Sequence, residues 1–450
     1  MNQSNTPDPK TTYAMGLTSS VAMGVGAMIG AGIFALLGQI ASLAGGLTPW
    51  LFVAAAAVSM LSGYSYARLG VRYPSSGGIA EYLVQGYKPG FAAGAMTIML
   101  YLSLVVGMGL VSRAFGAYAV SMLPKGAPPI MTYVFTSSVI VILAVINAIG
   151  SDVVGRAERY IVITKVALLS AFIVGGIAMA HRTGGSAPSR SSAPSLVHAF
   201  ALCLLAYQGF GVITNTVGDM PNAKRNLPRA IYLAVGVVAV VYVGIALATL
   251  SNLSIAQITR AQDYALAEAA RPLLGQAGFT IVAITALLSS ASCVNANLYS
   301  TANMTLLMAT VRELPPVEAR RVWRGGTVGL FSTAAMALVV ANLLDLSQIA
   351  TLTSIAVLFV FAIVHLGHFI RLTGETGASR VIVGLAFLAN AAVLVVFGVE
   401  AVSKSRTLAV LLVGFVALAC VSELIALRLS GPIKPTFDGK RTAVDGGEVE

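Results

Sequence analysis

Apolar runs of membrane length dominate this sequence and leave its backbone little choice. The hydrocarbon core of a bilayer is about 30 Å thick and takes about 20 residues of helix. No water reaches a bare N–H or C=O there, so a spanning segment must satisfy its own backbone, as a helix does. The runs fall at 14–42, 48–70, 91–121, 129–149, 157–181, 195–218, 229–251, 276–308, 326–344, 348–371, 379–399 and 406–428. The chain is 57% apolar and 10% charged, against about 25% charged in soluble domains. It reads as an all-α polytopic membrane protein with twelve transmembrane helices. The first run is too long, and too interrupted, to be a cleavable leader.

Two of the runs are broken by glycine. Span one carries Gly26-Ala27-Met28-Ile29-Gly30-Ala31-Gly32, and span six carries Gln208-Gly209-Phe210-Gly211. Glycine costs about 1 kcal/mol in a helix interior, so such clusters need a reason. Paired interrupted spans in matching positions of two halves point to the binding site of a secondary transporter. Unwound backbone at membrane depth survives only where it is buried or lines a cavity. Close helix packing through small residues is the competing reading. Gly24-x-Gly26-x-x-x-Gly30 also faintly imitates a dinucleotide fingerprint, but that motif needs a preceding strand.

The chain then divides into an N-terminal tail (1–13), a first set of five spans (14–181), an outer loop (182–194), a second set (195–371), two appended spans (379–429) and a polar tail (430–450). An odd number of spans in each set makes the two an inverted five-plus-five repeat, with broken helices one and six. Tyr73–Gly78 leads into a short re-entrant or interfacial helix at Ile79–Tyr87, and 263–274 reads as an amphipathic helix over the opposite face. Most of the 28 Lys and Arg residues, among them Arg68, Arg72, Lys88, Lys224, Arg229, Arg320, Arg371 and Arg380, fall on the side of the N-terminus. That bias places both termini in the cytoplasm. It also accounts for most of the net charge of +11, which is scattered over short loops and so does not suggest nucleic acid.

Lys165, deep in span five, is the most telling side chain. An ionisable residue at membrane depth is expensive and points to function, and a buried lysine can give up its proton near neutral pH. Snorkelling to the interface is the alternative, and it suits Arg113, nearer the outer end of span three, better. Asp152, Glu158 and Asp219 read as gate or loop contacts near the cytoplasmic ends, and Glu423 lies outside the core. Span eight holds Ser289, Ser290, Ser292, Asn295 and Asn297, either as glue between helices or as cavity lining. Cys203, Cys293 and Cys420 have neither metal nor disulfide spacing. His365 and His368 read as interfacial residues rather than a metal pair. No cofactor, metal or catalytic set is expected.

No Asp or Glu falls near the middle of spans one, three, six, eight or ten. A polycation would need a buried anion. A zwitterion would not: its carboxylate suits N–H groups at the start of a half-helix after Gly30, and its ammonium suits carbonyls at the end of the preceding half-helix and of the first half of span six.

At these residues the chain resembles the amino acid–polyamine–organocation superfamily. Gly26–Phe34 looks like its glycine signature. Tyr207–Asn215, then Pro221-Asn222-Ala223-Lys224-Arg225-Asn226-Leu227-Pro228-Arg229, is similar to its second signature, with Pro and Asn exchanged. Asn295–Ser300 matches an Asn-rich segment. Gly150–Glu158, followed by Lys165, is similar to the proton-coupled ApcT-type members. The resemblance implies a LeuT-like fold and a transporter rather than an enzyme. It implies proton coupling through Lys165, with Gly26 and Ser289 or Ser290 as partners. It implies substrate contacts at Ala27, Ile29, Gly30, Ala31, Gly32, Leu205, Ala206, Tyr207, Gln208, Gly209 and Phe210. The expected partners are a neutral amino acid, protons and the lipid bilayer, with the protein a monomer or weak oligomer. An exchanger of amino acids or polyamines without net proton flux is the alternative, and a substrate-sensing receptor a more distant one.

Overall fold

The computed structural model describes residues 16–75, 78–124, 126–149, 154–179, 192–310, 314–323 and 326–430, and nearly all of these are helical. The two tails, most of the loop 182–194, Asp152, and the side chains of Glu158 and Asp219 lie outside the described residues. In chain order the helices are α1 (Leu17–Ala31), α2 (Ile33–Ala44), α3 (Thr48–Arg72), α4 (Ile79–Tyr87), α5 (Phe91–Ser121), α6 (Ile130–Ile149), α7 (Val154–Ala178), α8 (Ala193–Tyr207), α9 (Ala223–Asn252), α10 (Ile255–Arg260), α11 (Ala265–Thr310), α12 (Val328–Leu343), α13 (Leu346–Gly367), α14 (Thr373–Thr376), α15 (Arg380–Lys404) and α16 (Arg406–Ser430). Ten stretches are long and apolar enough to cross a membrane. Two shorter apolar helices, Leu17–Gly30 and Val328–Leu343, fall on the first half of span one and on span nine, and a count of twelve rests on including both.

Local chemistry sets the boundaries. Asp345 caps α13 by accepting from Gln348 N, and Gln348 returns the bond in a capping box. Ser254 and Gln257 do the same for α10, satisfying donors that a helix start leaves bare. α11 bends at Leu274 and Gly275, where Gly275 takes φ +60°, a conformation other residues resist. The bend separates a short helix, starting at Ala265, from the spanning segment. The helical path does not stop where α13 ends at Gly367. A π turn, His368–Leu372, carries it on into α14.

Lipid is as apolar as leucine, so these helices associate through close packing and polar contacts rather than a hydrophobic drive. α5 is buried along most of its length. α15 and α16 sit at the edge and keep apolar faces outward, with Val410 71% and Val413 69% exposed.

Candidate functional site

Both glycine clusters interrupt their helices, though not equally. In span six α8 ends at Tyr207, and the chain runs on as a 3-10 helix from Gln208 to Asp219. In span one the break is one residue wide. α1 runs unbroken through Gly26, Gly30 and Ala31, and only Gly32 leaves it, at φ −81° and ψ −70°. Gly32 N still donates to Met28 O at 2.9 Å, and Gly32 O accepts from Leu36 N at 3.0 Å. The half-helix expected to start after Gly30 therefore starts at Ile33.

The glycines of α1 chiefly remove side chains. A Cβ on Gly24 would meet Ile213 Cδ1 at 2.4 Å, on Gly26 Val162 Cγ2 at 2.9 Å, and on Gly30 Cys293 Cβ at 2.9 Å. On Gly32 it would meet the Tyr242 hydroxyl at 2.4 Å and Ala206 at 2.9 Å. The second break answers the first. A Cβ on Gly209 would meet Met28 N at 2.6 Å and Ala27 Cβ at 3.0 Å. Each break thus packs on the helix that leads into the other, bringing Ala27, Gly32, Ala206 and Gly209 together. Met28, Ile29, Leu205, Tyr207 and Phe210 are buried around them, while Gln208 is half-buried.

Tyr242 of α9 ties the two together. Its hydroxyl donates to Met28 O at 2.6 Å and reaches Ala206 O at 3.2 Å. Sequence reasoning passed it over. The available signal was a lone hydroxyl inside the apolar run Val238–Ile245, where an unsatisfied polar group is costly.

Aromatic clusters flank the breaks. On one side Tyr207, Phe52 and Tyr242 pack with ring centroids 5.2–6.5 Å apart, and Tyr207 O–H donates to Phe52 O at 3.2 Å. On the other, Phe210 packs against Tyr66 at 5.5 Å and Phe361 at 5.6 Å, with Tyr82 of α4 against Tyr66 at 5.9 Å. That second side is the Arg-rich end. There Tyr73 O–H donates to Glu375 at 2.6 Å, and Arg72 lies 3.8 Å from the same carboxylate. Burial pushes the Tyr73 phenol well up from its ordinary value, and the Glu375 carboxylate adds to the rise. α4 forms at the expected position.

Lys165 is 2% exposed, and its Nζ donates to Gly26 O at 2.8 Å. The bond joins α7 to α1. Lys165 sits about 16 Å along α7 from Val154, at 1.5 Å per residue. Ser289 and Ser290 are fully buried, but their hydroxyls have no hydrogen-bond partner among the described residues. The expected bond from Lys165 to a serine hydroxyl is therefore not made. The backbone of Ser289 lies against Gly30 instead.

His365 and His368 lie inside the helix bundle, covered by neighbouring helices. Both are wholly buried, and the helix runs on past them through the π turn His368–Leu372. Glu423 is 1% exposed and its carboxylate lies over Gly94. Arg113 places its guanidinium 4.5 Å from the Tyr133 ring centroid.

Residues 15–370 match the amino acid permease family. The chain belongs to that family. It is a multi-pass membrane transporter and not an enzyme. It is 33% identical over 425 residues to the inner membrane transport protein YbaT of Escherichia coli, covering 94% of this chain and 99% of that one. It is 36% identical over 380 residues to the protein MJ0609 of Methanocaldococcus jannaschii, covering 83% of this chain and 86% of that one. It is 26% identical over 322 residues to the serine/threonine exchanger SteT of Bacillus subtilis, covering 70% and 72%.

Proposed function

We propose that this permease carries zwitterionic, chiefly neutral amino acids across the cytoplasmic membrane by proton-coupled alternating access, with both termini in the cytoplasm. The observation that carries the reading is the buried bond from Lys165 Nζ to Gly26 O. A protonated amine makes a charge-assisted bond, roughly twice as strong as a neutral one. It holds α7 against the broken helix, and loss of the proton weakens that hold. Substrate then enters as the two breaks part. Its carboxylate faces the start of α2 behind Gly32, where the helix dipole is positive. Its ammonium faces carbonyls at the end of α8, Leu205 and Ala206. Ala27, Ile29, Gly30, Ala31, Tyr207, Gln208, Gly209 and Phe210 complete the lining.

The test is uptake by purified protein in liposomes. Lys165→Ala should insert and fold yet lose uptake driven by a pH gradient. A variant with wild-type uptake and wild-type pH dependence would reduce Lys165 to a packing residue. The likeness to a serine/threonine exchanger favours a second reading, obligatory exchange of small neutral amino acids without net proton flux. Uptake into vesicles with no internal amino acid separates the two, since an exchanger stays silent there.

A further inference from the structure

The two histidines that the transport reading leaves aside form a buried polar ladder. Ser62 and Ser65 lie one turn apart on α3. His365, on α13, and His368, in the π turn, lie one turn apart opposite them. His365 Nε2 and Ser62 Oγ are 3.0 Å apart. His368 Nδ1 and Ser65 Oγ are 2.7 Å apart. Asn390 of α15 donates to Ser62 Oγ at 3.1 Å, and Thr376 Oγ1 lies 2.8 Å from His368 Nε2 toward the Arg-rich end. Ser62, Ser65, Asn390 and both imidazoles are at most 1% exposed.

Three features separate this ladder from ordinary helix glue. His365 Nδ1 and the Tyr66 hydroxyl are buried without a hydrogen-bond partner among the described residues, and their rings lie 5.7 Å apart. Whichever tautomer His365 adopts, one edge of its ring is left with a bare N–H or a bare lone pair. Beside the upper rung, Ser59, Ser62 and Asn390 line a cavity of about 10 Å³. That is the room one water needs, with the polar partners to hold it. The lower rung begins at a π turn, a distortion frequent at functional sites.

We propose that His365 and His368 form a proton-binding site of their own, fed from the Arg-rich end and hydrated through the Ser59–Ser62–Asn390 cavity. A proton from the Arg-rich end reaches His368 through Thr376, and one from the cavity reaches His365 through Ser62; the imidazolium so formed carries N–H on both nitrogens, including the bare Nδ1. Around the rungs stand Tyr66 on α3 and, on α4, Tyr82, whose ring packs on Tyr66, and the buried carboxylate of Glu81, which accepts from Gln85. Beyond the rungs Arg371 donates to Gly86 O, Glu375 holds Tyr73, and Arg380 donates to Thr373. On α16 Glu423 faces Gly94 instead. Neither imidazole pairs with a carboxylate among the described residues. A proton on the ladder therefore puts positive charge next to Tyr66 and Phe361, the rings that pack on Phe210, and draws water between α3 and α13. The ladder adds a second proton site to the transport reading but exists independently of which solute moves.

Hydrogen–deuterium exchange at the imidazole C2 carbon, read by mass spectrometry across a pH series, reports titration of each histidine without any substrate. In native protein both imidazoles should exchange along a sigmoidal pH profile. His365→Gln should shift the His368 profile, and Ser62→Ala should slow exchange at His365. If neither imidazole exchanges at any pH until the protein is denatured, the rungs are dry and neutral, and the proposal falls. Uptake of labelled alanine supplies the second arm. His365→Gln should move the pH of half-maximal uptake while Lys165→Ala abolishes it; a His365→Gln profile identical to wild type counts against the ladder. If wild-type protein moves no amino acid, the transport reading fails while the exchange profile still decides the ladder.

Discussion

Tyr242→Phe removes one oxygen and nothing else, and that oxygen is what the two breaks share. The ring remains, so its packing against Phe52 and Tyr207, each 5.2 Å away, is kept. One donated hydrogen bond is lost: the single hydroxyl proton points to Met28 O at 2.6 Å, with Ala206 O a second acceptor at 3.2 Å. Met28 O keeps its bond from Gly32 N, so that oxygen is not orphaned. At about 0.5–1.5 kcal/mol net for a hydrogen bond, the packed arrangement should lose about that much. With tenfold for each 1.4 kcal/mol, the fraction of molecules with α1 lifted off α11 should rise by about 2- to 12-fold. Cys293 reports this directly, because it is buried against Gly30. In a background with Cys203 and Cys420 changed to serine, the rate at which a maleimide labels Cys293 should rise by that factor. An unchanged rate would mean that Tyr242 merely fills space and the breaks are held by packing alone.

Gly32→Val should abolish substrate binding and compact folding around the break together, since its Cβ would fall 2.9 Å from Ala206 O, a backbone atom; substrate affinity equal to wild type would show that the break binds nothing. Gly38→Ala should lower the thermal midpoint in detergent, because its Cβ would collide with Gln262 O; an unchanged midpoint would show that the connection through Gln262 yields freely. The methyl ester of alanine should compete with labelled alanine more weakly than alanine by about 1.5–3 kcal/mol, the scale of a hydrogen bond to a charged group, and putrescine should compete poorly; putrescine outcompeting every neutral amino acid would refute the zwitterion reading. Tyr87 donates to Ile363 O, and burial pushes its phenol up to about 12. The folded protein holds that proton while the unfolded chain releases it near 10, so stability should fall as pH rises from about 10 to about 12. Tyr87→Phe should remove that part of the decline, measured by denaturation at each pH.

The helices were legible because bilayer thickness fixes a run length, and composition shows run length directly. The position of the first break was not. A glycine that permits unwinding and a glycine that admits a neighbour's side chain look alike in a sequence, and at Gly24, Gly26 and Gly30 the second use is the one observed. The burial of His365 and His368 was not legible for a related reason. Hydropathy falls at Arg371, but the backbone continues through a π turn, so neighbouring helices still cover the pair. Tyr242 went unnoticed because its partners are carbonyls of other helices, and main-chain acceptors carry no residue signature. Lys165 stood out because a formal charge in an apolar run is visible whatever it contacts.

The glycine notches of α1 bear on how the protein can move. Gly24, Gly26, Gly30 and Gly32 lie within nine residues, and each receives an atom from a different neighbour: Ile213, Val162, Cys293 and the pair Ala206 and Tyr242. The helix rests on pins set around its circumference. A tilt large enough to clear one pin swings the helix off the others, so partial displacements lose contacts in several directions and gain none. Packed interfaces of this kind settle in discrete positions rather than deforming smoothly. α1 is therefore a two-position part, and intermediate tilts should be scarcely populated.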